Sequence, residues 1–300
     1  GRYVFYINGV NVGSGTSGQS FSFSSVQIGV RDAGSGGAER FSGAIDELRM
    51  YDRPLSADEV GQLYRLTTPT SVDTSLKGYW SFNGQDMNST TAYDRSGAGN
   101  TGTLTGGPVK TIGVVGQGVD LDGSNDYVSV ADANVLDGFS DLSLSGWFYR
   151  DTFTTDDTLI GKKNSSATGD VGYILYIDAS TDQLIFKVSD GTNEYSLTSK
   201  TTFTATGWNF FAVTFSGTGP GNSRIYINGL DNNATHNSGT WSISDDPTNA
   251  LVLALGAESD AGGPFDGKLD EVRFYAGVLT AAQVKVQYDA SAPDKGNSSV

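Results

Sequence analysis

Phe41-Ser-Gly-Ala-Ile-Asp-Glu-Leu-Arg-Met-Tyr51 and Phe265-Asp-Gly-Lys-Leu-Asp-Glu-Val-Arg-Phe-Tyr275 are two copies of one stretch. Each is followed at the same distance by Leu55, Val60 and Tyr64 or by Leu279, Val284 and Tyr288, and Tyr6-Ile-Asn-Gly9 answers Tyr226-Ile-Asn-Gly229. A self-similar chain is read as tandem structural units. Around the second copy the unit extends back to about residue 76, whereas the first copy has only the C-terminal portion of such a unit in front of it. The expected organisation is therefore a partial unit at 1–66, a linker at 67–75, a complete unit at 76–289 and a tail or linker at 290–300. A portion of a two-layer domain lacks the strands that would bury its apolar face, so 1–66 is not expected to fold alone.

Composition restricts the class. Forty glycines, few helical periods and 37% hydrophobic residues describe an all-β protein with many turns. The net charge is −15, and the charges of 1–66 nearly balance, so the second unit carries almost all of the excess. That surface repels phosphate backbones and anionic lipid, which argues against a nucleic-acid partner. No apolar run is long enough for a membrane-spanning helix, so membrane insertion is not expected. The absence of cysteine does not place the chain in a reducing compartment, because large β domains do not need disulfide staples.

Alternation predicts strands at 78–82, 119–122, 127–130, 142–149, 173–177, 183–188, 194–197, 208–215, 224–227, 250–255 and 268–275. Asn228-Gly229 and Asp190-Gly191 supply the positive φ angles of tight hairpin turns. Ser56-Ala-Asp-Glu59 and Thr280-Ala-Ala-Gln283 are capping boxes, so one helix is expected after each copy of the repeated stretch. Many short strands at such spacing read as a β-sandwich with jelly-roll connections.

Gly78-Tyr-Trp-Ser-Phe82, Tyr93-Asp-Arg-Ser-Gly-Ala-Gly-Asn-Thr-Gly102, Leu121-Asp-Gly-Ser-Asn-Asp-Tyr-Val128, Leu144-Ser-Gly-Trp147, Trp208-Asn-Phe-Phe-Ala-Val213, Ile225-Tyr-Ile-Asn-Gly229 and Gly267-Lys-Leu-Asp-Glu-Val-Arg-Phe-Tyr275 occur in this order. Together they resemble the laminin-G-like, concanavalin A-like jelly rolls of bacterial extracellular proteins. The resemblance covers 76–289, and 1–66 resemble the C-terminal third of the same family. It implies an extracellular or cell-surface location and a structural calcium ion held by Asp94, Asn100 and Asp270, with Asp126 as a further position. Hard cations take six to eight oxygens, and the Gly-rich loop can add carbonyls. Asp94 followed by Ser-Gly is equally the signature of an Asx turn that bonds its own loop amides.

Along a regular strand, Asp270, Val272 and Phe274 share one face, and Glu271, Arg273 and Tyr275 the other. Glu271 and Arg273 are then placed to pair as a structural ion pair. Hydrolases with this sandwich use two carboxylates on alternate residues of one strand. No such pattern is present, and Asp270 and Glu271 are adjacent, so the chain is not read as an enzyme. His236, without cysteine or a partner triad, gives no nucleophile or zinc cluster.

Glycan binding or adhesion is the leading function, with glycans or cell-surface polysaccharide and neighbouring repeats as partners. An aromatic platform flanked by Asn and Asp groups is what a sugar requires. Trp241, Asn233 and His236 in the apparent insertion 231–241, and Asp260 in the loop 258–265, are the candidates, with the two loops expected to meet at one end of the sandwich. Trp241 reads equally as platform or as core, while Trp80, Trp147 and Trp208 are read as packing. The alternatives are a spacer repeat of a stalk or filament and an accessory domain of a polysaccharide-degrading enzyme.

Overall fold

The chain divides into two compact units, Gly1–Asp73 and Thr74–Val300. The computed structural model describes residues 2–7, 10–16, 18, 28–32, 38–43, 45, 48, 50–51, 53–57 and 59–60 of the first, and 75–137, 141–153, 155–164, 170–217, 223–237 and 249–292 of the second. In unit 1, β1 (Arg2–Ile7) pairs antiparallel with β2 (Val10–Thr16), and β3 (Val30–Asp32) with β4 (Ala38–Arg40). The first capping box is formed: Glu59 N–H donates to Ser56 Oγ at 3.2 Å, and Ser56 N–H to the Glu59 carboxylate at 2.6 Å.

Unit 2 runs through β5 (Leu76–Trp80), β6 (Thr91–Ala92), β7 (Gly102–Thr105), β8 (Val109–Ile112), β9 (Gln117–Asp122), β10 (Tyr127–Val130) and β11 (Asp141–Arg150). It continues with β12 (Asp157–Lys162), β13 (Val171–Ile177), β14 (Gln183–Asp190), β15 (Glu194–Thr202), β16 (Trp208–Ser216) and β17 (Arg224–Ile227). The last elements are β18 (Leu230–Asp231), β19 (Asn233–Asn237), β20 (Leu253–Leu255), β21 (Asp266–Tyr275) and the helix α1 (Ala281–Ser291). A nine-stranded sheet has the order β19-β15-β14-β13-β12-β20-β10-β7-β6. An eight-stranded sheet has the order β18-β17-β16-β11-β21-β9-β8, with β5 also paired to β21.

The sheets are packed face to face. Phe186 and Tyr195 of the first sheet meet Phe215 of the second, and Tyr173 stacks on Phe274 at 6.0 Å. Inward residues of both sheets, Leu144, Phe148 and Val272 against Leu159, Leu175 and Phe186 among them, form one buried core. A smaller cluster lies on the opposite face of the eight-stranded sheet, where Val284 of α1 joins Trp147, Phe210, Tyr226 and Tyr275. Tyr288 stacks on Trp147 at 5.7 Å. The helix starts at the expected cap, with Thr280 and Gln283 exchanging both bonds. Among the described residues, no helix is long and apolar enough to cross a membrane.

Asn228 and Gly229, with φ of 51° and 77°, form the two-residue turn between Ile227 and Leu230 as expected. In the other hairpin Gly191 (φ 87°) is the first central residue, and Asp190 accepts from the Thr192 and Asn193 amides.

The alternation expected for β21 does not hold. Pairing shifts register between Ser145 and Trp147, and Glu271 takes a φ of 53°, which marks a β-bulge. Trp147 lies opposite Asp270, and Leu144 opposite Phe274. Asp270 therefore joins Arg273 and Tyr275 on the helix-covered face, while Leu269, Val272 and Phe274 all reach the core.

Strand β12 is unanticipated; it ends at Lys162, and Lys163 follows it directly. Both are buried among oxygens. The Lys162 ammonium lies 2.8 Å from Asp132, 2.8 Å from Asp137, 2.8 Å from Asn249 Oδ1 and 2.9 Å from Leu251 O. Lys163 pairs with Glu194 at 3.2 Å. At the other end of β12, Asp157 accepts from Arg150 Nε at 2.5 Å, and Arg150 also reaches Asp182 at 2.6 Å.

Two expectations follow. Lys162→Met strands the buried Asp137 carboxylate without its counter-ion, and denaturant unfolding should register a loss of about 3–5 kcal/mol. Burial, partly offset by Arg150, pushes the Asp157 carboxyl up to about 6. The native state then holds a proton that the unfolded chain has released, so the contribution of Asp157 to stability falls as pH rises from its ordinary value of 3.8 to about 6. Asp157→Asn should flatten that part of the stability profile; an unaltered slope between pH 4 and 6 would count against the assignment.

Candidate binding surface and cation positions

The residues from Tyr93 to Asn100 run along the edge of β5 that faces away from β21. Arg95 N–H donates to Tyr79 O at 2.8 Å, and Tyr79 N–H to Asp94 Oδ1 at 3.0 Å. Asp94 then accepts from Ser96 N–H, Ser96 Oγ–H and Asn100 N–H, each at 2.8 Å. A carboxylate has about four acceptor sites, and these four donors occupy them. Asn100 donates its side-chain amide to Lys77 O at 2.6 Å. The loop is thus closed by its own amides, which is the Asx-turn geometry.

Asp270 lies on the other side of β5. Its Oδ2 accepts from Val114 N–H at 2.7 Å and Val115 N–H at 2.9 Å, while Oδ1 is buried with no hydrogen-bond donor. Gly113 permits this approach, since a Cβ there would stand 2.5 Å from Oδ2. Burial first, and Glu271 next, hold the Asp270 carboxyl up at about 7 against the pull of those amides. Two strand spacings, about 10 Å, separate the backbones that carry Asp94 and Asp270. Among the described residues, no three of His, Cys, Asp and Glu gather to hold a metal ion. Asp94 and Asp270 are both engaged by protein donors, and of their four carboxylate oxygens only Asp270 Oδ1 is left without one.

Asp126 is buried in the turn between β9 and β10, and its carboxyl is shifted upward by burial and by repulsion from Asp122 and Asp120. Asp122 caps the same turn through the Ser124 and Asn125 amides. Glu271 accepts from Tyr79 Oη at 2.8 Å and pairs with Arg273, whose guanidinium lies 4.2 Å from the centre of the Tyr79 ring. The expected Glu271–Arg273 pair is present.

Among the described residues, the sugar-binding candidates Asn233, His236 and Asp260 lie on separate elements. Asn233 is tied to β17, accepting from Ile225 N–H at 2.5 Å and donating to Ser223 O at 3.3 Å. His236 occupies the register position opposite Leu197 on edge strand β19, where a loop was expected. Asp260 caps Gly262 N–H in the loop after β20. Five strand spacings, about 24 Å, separate β19 from β20 in the sheet order, so the two loops do not arise at one place. Trp241 lies outside the described residues.

A different constellation forms on the outer face of the eight-stranded sheet. Trp208, Tyr149, Lys268, Asp120 and Val109 are direct cross-strand partners on β16, β11, β21, β9 and β8. Directly paired residues share a face, so the five make one row. Trp208 meets Tyr149 edge to face at 5.8 Å, and the Lys268 ammonium lies 4.8 Å from the centre of the Tyr149 ring. Lys268 also pairs with Asp151 and, at 3.7 Å, with Asp120. Val109 and Asp151 are exposed, while Tyr149, Lys268, Asp120 and Trp208 are partly buried, Trp208 packing in part against the helix-side cluster as expected. No local motif reveals the row, because its members come from five strands. The only sequence signal is that Tyr149 and Lys268 each fall on the polar side of an alternating strand.

Asp94→Ala removes the acceptor for four donors. The melting transition should fall by the equivalent of about 2–4 kcal/mol, and by the same amount in millimolar calcium and in EDTA. A loss seen only with calcium present would instead favour a bound cation at Asp94.

A family model described as the concanavalin A-like lectin/glucanases superfamily, of the laminin-G type, matches residues 1–61 and 122–285. No curated protein matches the chain. Among solved structures, the binding domain of botulinum neurotoxin DC in complex with rat synaptotagmin II superposes with a TM-score of 0.54 at 14% identity, over 74% of this chain and 52% of that one. The same domain in complex with SialylT gives 0.54 at 15%, over 74% and 52%. The binding domain of paraclostridial mosquitocidal protein 1 gives 0.54 at 16%, over 73% and 53%. The chain thus spans about half the length of these structures, and at such identity the likeness is one of fold. On its jelly-roll sandwich and on the span of the family match, the chain belongs to the laminin-G-like members of the concanavalin A-like lectin/glucanases superfamily.

Proposed function

We propose that the chain is an extracellular carbohydrate-binding or adhesion module, part of a larger surface or secreted protein. The observation that carries this reading is the open row on the outer face of the eight-stranded sheet. Trp208 and Tyr149 there stand beside Lys268, Asp120 and Asp151. Half-exposed aromatic surface takes the C–H faces of a sugar, and the flanking charges accept and donate hydrogen bonds to its hydroxyls. The row and the adjoining Asp151 together carry two carboxylates and one ammonium, which suits a hydroxyl-rich ligand better than a polyanion. Support also comes from the fold relatives: one is described in complex with SialylT, and another in a study of a toxin whose cell entry depends on two ganglioside molecules.

Binding is favoured over hydrolysis by how the neighbouring carboxylates are used. Asp120 and Asp151 are held by Lys268, Asp122 caps a turn, and Glu271 is bonded to Tyr79 and Arg273.

A glycan and polysaccharide array on the full chain tests the reading. Selective binding is expected, with Trp208→Ala, Asp120→Ala and Asp151→Ala each weakening it by about tenfold or more while the two carboxylate variants keep the parental melting temperature. Silence across the array from a folded chain would favour a spacer.

A further inference from the structure

Asn88-Ser-Thr90 and Asn233-Ala-Thr235 both have the tripeptide form that accepts N-linked sugar, and each has an aspartate two residues ahead, Asp86 and Asp231. Their local sequences are matched, so it is the fold that separates them. The tripeptides of the same form at Asn164 and Asn297 run outside the described residues.

Asn88, Ser89 and Thr90 are all exposed, in a tight turn ahead of β6, the edge strand of the nine-stranded sheet. Met87 and Ala92 bridge at the base of this turn and are buried in the core, and Asn88 N–H closes it on Thr91 O at 2.9 Å. A fixed stem thus carries an open tip. The Asn88 side-chain oxygen accepts from Thr90 N–H at 2.8 Å, Thr91 N–H at 2.8 Å and the Thr90 hydroxyl at 3.2 Å, which is an Asx turn. Three donors on one amide oxygen draw electron density from the amide nitrogen and loosen its protons. That nitrogen donates to Tyr93 Oη at 3.1 Å, and Tyr93 is itself exposed, so the group is held at the surface.

Asn233 has neither property. Its side chain is committed to β17, accepting from Ile225 N–H and donating to Ser223 O. Its backbone lies in β19 opposite Ser199, with Thr235 opposite Thr198, so extended pairing stands where Asn88 has a turn. Reaching its nitrogen requires β19 to open from β15.

We propose that Asn88 is a modification site, the acceptor of an N-linked glycan, and that Asn233 in the same local sequence is not. The donor is a polyprenyl-diphosphate-linked oligosaccharide, used by an oligosaccharyltransferase. Asn88 Nδ2 bonds to the anomeric carbon as the bond from that carbon to the diphosphate oxygen breaks; the diphosphate leaves with the bonding pair, and one Nδ2 proton passes to the transferase's base. The proposal rests on the extracellular placement given above, since such sites belong to exported chains, but not on the binding row. Strand β6 belongs to the nine-stranded sheet and the row to the eight-stranded one, so the glycan is attached away from the row.

The full, folded chain is incubated with a purified oligosaccharyltransferase and a polyprenyl-diphosphate-linked oligosaccharide, and occupancy is read by peptide mass mapping. Asn88 should be occupied about tenfold or more above Asn233, while synthetic peptides 84–94 and 229–239 accept at similar rates. Thr90→Ala should abolish transfer to Asn88 in a chain that circular dichroism shows to be folded. An unmodified Asn88 in the folded chain overturns the proposal, as does equal occupancy of the two sites or transfer that survives Thr90→Ala. Peptides that already differ by the same factor overturn it too, because sequence rather than fold would then decide. Acceptance is read by mass and sugar recognition by the array, so each reading can fail while the other stands.

Discussion

Strand β21 is bonded to β11 on one edge and to β9 and β5 on the other, so the start, middle and end of unit 2 meet along one strand. It must send Leu269, Val272 and Phe274 into the core, although Leu269 and Val272 are three residues apart and cannot share a face of a regular strand. The bulge at Glu271 resolves the conflict by adding one residue. A non-glycine residue at a φ of 53° costs about 1–3 kcal/mol, and the cost is held by the pairing on both edges. The inserted Glu271 points to the outer face, where Tyr79 and Arg273 bond it. Ile45 and Leu48 stand at the same spacing in unit 1, which carries the same requirement.

The nine-stranded sheet depends on buried charge in a way that hydropathy does not show. Lys162 gathers oxygens from the segment after β10 and from the segment before β20, and Arg150 ties the end of β11 to β12 and to the turn before β14. Each link desolvates ions, so little net stability follows from the pair as a whole; removing one partner is what is costly. What such links supply here is position: Lys162 reaches Leu251, 89 residues on, and Arg150 reaches Asp182, 32 residues on.

The outer face of the eight-stranded sheet has two parts. One part is covered by α1, which stacks Tyr288 on Trp147 and buries Val284. The row from Trp208 to Asp120 keeps its aromatic and charged groups partly exposed to water. A rigid sheet holds these side chains at fixed spacing, so little ordering entropy remains to be lost when a ligand binds.

Much of this was legible in the residues. The repeated stretch, the capping boxes at Ser56 and Thr280, the Asn228-Gly229 turn and the sandwich class follow from local chemistry, because caps, tight turns and alternation depend on neighbours in the chain. For the calcium set that the resemblance implies, the residues could not tell an ion from an Asx turn, and the bonds that Asp94 accepts from Tyr79, Ser96 and Asn100 depend on how its loop lies along β5. Strand β12 was hidden by two lysines whose counter-charges lie at Asp132, Asp137 and Glu194, and the bulge at Glu271 by an assumption of regular alternation. The sequence by itself determined the elements, the turns and the sandwich, which rest on interactions within a few residues. Which residues share a face, which charges are buried in pairs and which five side chains line up on the outer sheet were decided only by the tertiary structure, because cross-strand neighbours are set by register between segments distant in the chain.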